Sequence, residues 1–358
     1  MSHDPTFVAA HRARHPEPLI VVGLVSGEEI LVMDLSANIL KRIRITGFEM
    51  VLPTNLDIVY AVKDHNSHSD AIVINAATGV VHALPKNLAA DSQLYGKPLY
   101  DYSASFVFGR VATGEYKVLR ILSDVERPFQ ILEVLTLDSN GPMQWRAKQS
   151  LPICVQTYPI YRVVIKGVVY FLEEDRLDLG LNNVARFDLE TEKWIPSLRG
   201  PLSRDLSEDH PLAHHSCVCH EFASLAQLND FLVVAQYRYH LDYNYIELLP
   251  GGTFLDLWYP VDMENCLWER KYRIDLTMIQ DCSMAYPSLI LDDGGLLLCL
   301  SVAKKIFRQQ YSGYSVKVLR RYDPETKTLT HDLFDNMDIS DFGLCTGSLL
   351  GVRNGEEL

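Results

Sequence analysis

Short apolar runs alternate with turn residues along almost the whole chain. Candidate strands include Ile20–Leu24, Ile30–Met33, Ile58–Val62, Ala71–Ile74, Lys117–Ile121, Ile131–Leu137, Val168–Leu172, Phe231–Ala235, Phe254–Trp258, Leu296–Leu300 and Val316–Arg320. Val, Ile, Leu and Tyr dominate them, as a pleated, half-buried surface favours. One hairpin recurs: β-formers, a turn of the type Asp/Asn–x–x–Thr–Gly/Glu, then a short second strand. The clearest copies are Val73–Pro85, Ala185–Pro196 and Leu319–Thr330, with looser ones at Phe108–Leu122 and Val32–Ile43. Recurrence at roughly 40–50 residues marks a repeat architecture. Each copy reads as the outer half of a four-stranded antiparallel sheet.

The expected fold is therefore all-β: a β-propeller-like ring of about six four-stranded antiparallel blades. Blades are expected at Glu49–Leu88, Ser103–Gln149, Tyr161–Ser197, Phe222–Ile274 and Ser288–Asp332. Pro18–Ile45 holds only about three strands, and Leu344–Val352 is an orphan. A ring must close its last sheet to avoid an open edge, so the C-terminal strand is expected to complete the first blade. A short helix over Pro5–Arg14, capped by Asp4, is expected at the N-terminus. The expected divisions are 1–17, a propeller at 18–352 and an acidic tail at 353–358.

Antiparallel order also sorts the loops. The terse turns Ala76–Gly79, Asp138–Pro142, Leu189–Lys193 and Asp323–Lys327 read as third-to-fourth connections. Lys166–Gly167 and Asp292–Gly295 read as first-to-second ones. The long segments, among them Lys86–Tyr102, Arg199–Glu221, Arg238–Gly252 and Ala303–Ser315, then share the opposite face. Long loops on a rigid scaffold are where binding usually sits. Tyr237, Tyr239, Tyr243, Tyr245, Phe307, Arg308, Tyr311 and Tyr314 are the candidate partner-binding residues, since Tyr and Arg are favoured interface anchors. The bland alternative is that the tyrosines pack the loops onto the blades.

Composition narrows the function. Lys plus Arg is 33 against 46 for Asp plus Glu, a formal charge of −13. That balance argues against nucleic acid and against an anionic membrane surface as partners. Apolar runs are strand-length, Met1–Arg14 lacks an apolar signal core, and seven cysteines are scattered. The expectation is an intracellular protein with reduced thiols, cytoplasmic or nuclear. His214, His215, Cys217, Cys219 and His220 are the one compact metal-type cluster. It lacks the second ligand pair of a structural zinc site, so no metal or cofactor is expected. Asp292–Asp293 before two glycines reads as a tight turn, and the acidic pairs Glu28–Glu29 and Glu173–Glu174 are expected to face water. No nucleophile elbow, phosphate-cradling loop or zinc-protease motif occurs, so no catalytic residue is assigned. Trp145, Trp194 and Trp268 fall near outer strands, where they are expected to pack blades.

The order Ile72–Gly79 with Leu84–Pro85, Phe108–Gly109, Thr113–Val118, Trp145–Arg146, Gly167–Leu172, Phe187–Trp194 and Leu257–Trp258 resembles the F-box-associated domain of plant F-box proteins. The resemblance covers about Pro18–Leu350. Asp4–Arg14 is similar to the tail of an F-box. The resemblance implies a kelch-like propeller that serves as substrate receptor in a Skp–cullin–F-box ubiquitin ligase and is not itself an enzyme. Met1 falls where most of an F-box would have passed, so the adaptor-gripping helices are expected to be missing, through either a truncated gene model or a genuine loss of the ligase connection. A Skp-type adaptor is then a partner only if F-box function is retained, and the client protein is unknown. The rival class is a propeller enzyme or glycan-binding protein with a site on the same long-loop face.

Overall fold

The computed structural model describes residues 18–24, 29–44, 50–52, 56, 58–62, 71–75, 81–89, 102–124, 129–137, 143–150, 154–174, 183–201, 217–242, 253–279, 282–304, 314–330, 333–334 and 339–345. Among them are twenty-four strands and one 3-10 turn at Pro159–Tyr161. The fold is all-β, a β-propeller of six four-stranded antiparallel blades. The expected N-terminal helix lies outside the described residues. Two compact units divide the chain: Met1–Ser150 with Phe334–Leu358, and Leu151–Leu333.

The first unit holds β1 (Leu19–Leu24), β2 (Glu29–Met33), β3 (Ile39–Arg44), β4 (Met50–Leu52), β5 (Ile58–Val62), β6 (Ala71–Asn75) and β7 (Val81–Ala83). It continues with β8 (Tyr102–Arg110), β9 (Tyr116–Asp124), β10 (Gln130–Leu137), β11 (Arg146–Lys148) and the last strand among the described residues, β24 (Ile339–Cys345). β24 pairs antiparallel with β1, from Leu19 opposite Cys345 to Leu24 opposite Ile339. The expected closure of the first blade is thus present, but its strand starts five residues earlier than Leu344 and stops at Cys345. The sequence Ile339–Ser–Asp–Phe–Gly–Leu–Cys carries too few β-branched residues to stand out. Alternation then builds the core. Val21, Ile30, Val32 and Cys345 meet Val59, Ala61 and Ile74 of the next sheet. Tyr60 and Val73 meet Phe106, Phe108, Val118 and Leu135 of the third.

The second unit holds β12 (Arg162–Ile165), β13 (Val168–Leu172), β14 (Val184–Asp188), β15 (Lys193–Leu198), β16 (Cys217–Leu228) and β17 (Phe231–Asp242). β18 (Phe254–Asp262), β19 (Leu267–Asp275), β20 (Cys282–Ile290), β21 (Leu296–Lys304), β22 (Tyr314–Asp323) and β23 (Thr328–Leu329) complete it. Its last two blades start at Cys217 and Cys282, before the expected Phe222 and Ser288. Both starts are poor in β-formers, and Pro287 is tolerated because the β20–β21 register shifts there. One apolar layer joins Val163, Ile165 and Val184 to Leu232 and Val234. Another joins Val233, Leu255 and Leu257 to Ala285, Leu298 and Leu300.

The strand order bears out the loop parity in each sheet. Lys166–Gly167 and Asp292–Gly295 join first and second strands, and Leu189–Lys193 and Asp323–Lys327 join third and fourth. Phe108–Leu122 corrects one assignment: it is the β8–β9 hairpin, strands one and two, not an outer half. Gly114 in that turn has φ of 93°, as a left-handed glycine turn requires. Gly79 lies outside the described residues.

The repeated outer turn has a common mechanism. Asp34, Asp188, Asp262 and Asp323 each accept, through Oδ1, the backbone N–H two residues on, at 2.9, 2.9, 2.9 and 2.8 Å. The Asp262 copy (Asp262–Met263–Glu264–Asn265–Cys266) escapes the sequence pattern because Asn265 replaces Thr. The chain then turns left-handed at Ala37, Glu192, Cys266 and Lys327, with φ of 65, 55, 53 and 56°. A left-handed non-glycine residue costs roughly 1–2 kcal/mol, and glycine's extra chain entropy roughly 0.5–1 kcal/mol. Lys327→Gly is therefore expected to stabilise the chain by about 0.5–1 kcal/mol in urea unfolding. A loss of stability would show that Lys327 holds its turn by another contact.

The same turns make stability acid-sensitive. Hydrogen bonds from Asn38 and Asn265 lower the Asp34 and Asp262 carboxyls from the ordinary 3.8, and the Glu325 N–H does the same for Asp323. A lowered folded pKa contributes stability above the unfolded pKa, and that contribution is lost as pH falls through the folded value. Asp323→Ala is expected to lower the thermal midpoint at pH 7 and to narrow its gap from the parent below pH 3.8. A constant gap from pH 7 to pH 2.5 would contradict this.

Candidate functional site

The expected binding residues separate on inspection. Tyr237 is corrected from loop anchor to core residue. It lies in β17, is 1% exposed, and its hydroxyl donates to the Cys282 carbonyl at 2.7 Å. Burial raises the Cys282 thiol's pKa above its ordinary value. Tyr239 and Tyr314 also belong to strands, β17 and β22, because both run further than the apolar pattern suggests. Tyr243, Tyr245, Phe307, Arg308 and Tyr311 lie outside the described residues, as do His214 and His215. Cys217, Cys219 and His220 sit in β16, opposite Asp242, His240 and Tyr239. Among the described residues no cluster of His, Cys, Asp or Glu could hold a metal ion. No helix among them is long and apolar enough to cross a membrane.

The tryptophans do pack blades. Trp145 contacts Phe106, Trp194 meets Phe171 and Phe187, and Trp268 joins the layer beside β12–β15. Glu173 departs from expectation, for its Oε1 is buried with no partner among the described residues.

Two polar groups that the apolar pattern hides are buried in the sheets. In the first unit Arg120 of β9 and Glu133 of β10 form an ion pair at 1% and 0% exposure. The Arg120 guanidinium lies 4.1 Å over the Trp145 ring. Burial lowers the Arg120 pKa, and the Glu133 charge opposes the shift. This group staples the connection that follows β7. Ala89 N–H donates to Glu133 Oε1 at 2.8 Å, Arg120 Nη2 donates to Asn87 O at 3.0 Å, and Trp145 Nε1 donates to Pro85 O at 2.8 Å. Its polar atoms are used internally, which makes it scaffold.

The second group is the candidate site. β17, β18 and β19 align Gln236, Asp256 and Arg273 in one row across the sheet. Strand period 2 puts Arg238 and Trp258 on the same face. Asp256 is fully buried and accepts from Arg273 Nε and Nη2, both at 2.8 Å. Arg270 Nη1 stands 3.7 Å and Arg238 Nη1 4.0 Å from Asp256 Oδ2. Arg270 also lies 5.8 Å over the Trp258 ring. Three guanidiniums thus share one carboxylate. Along β19, Glu269 is the neighbour of Arg270, and Asp275 accepts the Thr277 N–H. Arg270 and Arg273 keep 38% and 43% of their side chains in solvent. The row lies toward the end of the sheet from which the long 243–252 connection leaves. A visible signal existed: Gln236, Arg238 and Asp256 interrupt apolar strands at alternate positions.

Among curated proteins no sequence matches the chain. Solved structures similar to it include an ulvan lyase of a polysaccharide lyase family, at 8% identity, covering 87% of this chain and 74% of that one, TM-score 0.44. An alpha-L-arabinanase of Penicillium chrysogenum has 11% identity, coverage of 84% and 81%, and TM-score 0.37. An exo-1,5-alpha-L-arabinanase from a bovine ruminal metagenomic library has 8% identity, coverage of 78% and 95%, and TM-score 0.37. Residues 62–201, from the end of β5 to just past β15, match the family model of the F-box associated beta propeller domain.

Proposed function

We propose that this chain is a protein-recognition domain that selects substrates for a Skp–cullin–F-box type ubiquitin ligase. The observation that carries the reading is the family match over residues 62–201. The blade architecture supports it: in the β12–β15 sheet, for one, long connections leave one end and terse turns close the other. A client is gripped by that long-connection end, in the cytoplasm or nucleus, and the chain performs no bond chemistry. Ubiquitin transfer belongs to the partner subunits.

The test has two arms. The purified chain is mixed with a Skp-type adaptor, beside a full-length F-box protein as control. In parallel, proteins retained by the chain from proteasome-inhibited cells are compared with those retained after residues 243–252 are replaced by Gly and Ser. The expected result is a set of proteins that depends on 243–252 and is stabilised by proteasome inhibition. An identical set from both chains, with no adaptor binding, would overturn the reading. Saturable binding of an oligosaccharide instead would favour a glycan-binding propeller.

A further inference from the structure

Three aromatic rings stand in series on the opposite face of the β16–β19 sheet from Asp256. Phe231 of β17 lies 6.3 Å from Tyr259 of β18, and Tyr259 lies 6.2 Å from Tyr272 of β19, with planes tilted by 59 and 58°. A cation covers them. Lys271 Nζ is 5.0 Å from the centre of the Tyr259 ring and 5.6 Å from that of Tyr272. Both distances are within the roughly 6 Å over which a ring face attracts an ammonium. Among the described residues no ion pair engages Lys271. The ladder explains how it gets there. Leu257 stands opposite Tyr272 and Trp258 opposite Arg270, so Lys271 is the extra residue of a bulge. Bulges re-aim side chains. Arg270 stays with Trp258 and Asp256 on one face, whereas Lys271 reaches the rings on the other. Glu269 stands directly opposite Tyr259 and brings a carboxylate to the ring face. The corner borders solvent, for Lys271 is exposed and Phe231 is 54% exposed.

We propose that this aromatic corner is an ammonium-binding site, which takes a lysine side chain, unmodified or methylated, of a partner protein. Lys271 is its internal placeholder. A flexible lysine at an exposed position holds a ring face only weakly, so a second ammonium competes with it on near-equal terms. Three rings and a carboxylate are the chemistry that recognises such a head group. A basic partner also suits a chain of formal charge −13. The corner adjoins the terse turns 229–230 and 263–266, at the end of the sheet away from 243–252. It therefore serves a partner other than the client and does not rest on the receptor reading. The Tyr259 hydroxyl is buried and meets no hydrogen-bond partner among the described residues, so the ring rather than the hydroxyl is what the site uses.

The purified full chain is titrated with three capped amino acids at matched ionic strength: trimethyl-lysine, lysine, and side-chain-acetylated lysine as the uncharged control. Ring faces shift nearby protons upfield, so the probe's own N-methyl and ε-methylene resonances report seating on the rings. The expected result is a saturable upfield shift with trimethyl-lysine or lysine and not with the acetylated control. The tighter of the two charged probes tells a methylated source from an unmodified one. Lys271→Gln removes the competitor and is expected to bind that probe about two- to fivefold more tightly, the worth of one exposed cation–ring contact. Tyr259→Leu is expected to weaken binding at least fivefold, while Tyr259→Phe, which keeps the ring, binds as the parent does. A parent-like thermal midpoint in Tyr259→Phe and in the half-exposed Phe231→Leu separates loss of the site from loss of the fold, and Phe231→Leu is also expected to weaken binding. No saturable shift in the parent chain, equal binding of the acetylated control, or binding unchanged in both Tyr259→Leu and Phe231→Leu would overturn the site. Binding no tighter in Lys271→Gln than in the parent would overturn the placeholder role, and with it the proposal. Each of these outcomes leaves the receptor reading to its own test at the long-connection end.

Discussion

Removal of residues 339–358 is expected to leave the first unit unable to fold cooperatively. β24 places Ile339, Phe342 and Cys345 in the core at 1, 4 and 1% exposure. Burial of the Ile and Phe side chains alone contributes about 3–6 kcal/mol, at roughly 1.5–3 kcal/mol each. The β1 backbone would also lose its partner along the whole of Leu19–Leu24. Whole domains are stable by only about 5–15 kcal/mol, so the loss is comparable with the total. The exposed β1 edge, with Ile20, Val21 and Val22 beside it, is a template for pairing with other chains. The expected readouts are a low soluble yield and no sigmoidal thermal transition from the first unit. Phe342→Ala, which keeps the backbone pairing, is expected to cost about 3–5 kcal/mol in denaturant unfolding. A truncated chain with the parent's thermal midpoint would show that the β1–β24 pairing does not hold the blade shut.

Glu133→Leu is expected to destabilise the chain by about 3–5 kcal/mol, since it leaves the Arg120 guanidinium buried without its counter-charge. Arg120 is 1% exposed and cannot reach water without opening the blade. The Ala89 N–H loses its acceptor as well. The double variant Arg120→Leu/Glu133→Leu is expected to recover part of the loss, because two matched charges leave together. Recovery stays incomplete, since the Ala89 N–H lacks its acceptor in both variants and Asn87 O loses its Arg120 donor in the double one. Hydrogen exchange separates the local effect from the global one: Ala89 is expected to lose protection in either variant under native conditions. Equal stability of Glu133→Leu and parent would mean that water reaches the pair.

The second prediction concerns residues whose importance the apolar pattern did not convey. Lys117–Ile121 and Ile131–Leu137 read correctly as strands, yet nothing local says that Arg120 and Glu133 face each other across β9 and β10. The register that brings them together is a pairwise property of two strands. The same holds for Asp256, Arg270 and Arg273. Tyr237 failed as a binding residue for the converse reason. Its place next to Arg238 and Tyr239 looked like an amphipathic loop, but β17 continues to Asp242 by pairing with β16, whose partners include Cys217–Glu221. Cross-strand hydrogen bonds extended a strand that intrinsic preference would have ended.

What the chain's own pattern determined was the repeat: short β-formers, an aspartate-anchored outer turn, and the alternation of terse and long connections. These are local properties, set by strand period, by Asp side chains that accept nearby N–H groups, and by left-handed turn residues. They sufficed for six four-stranded sheets and for the need of a C-terminal strand to complete the first. Tertiary structure decided the rest: where β24 begins, which strands outrun their apolar pattern, and which charges are buried together. The physical reason is that register and inter-sheet packing are settled by partners distant in sequence. A carboxylate's role as surface charge, staple or arginine holder depends on what stands across from it.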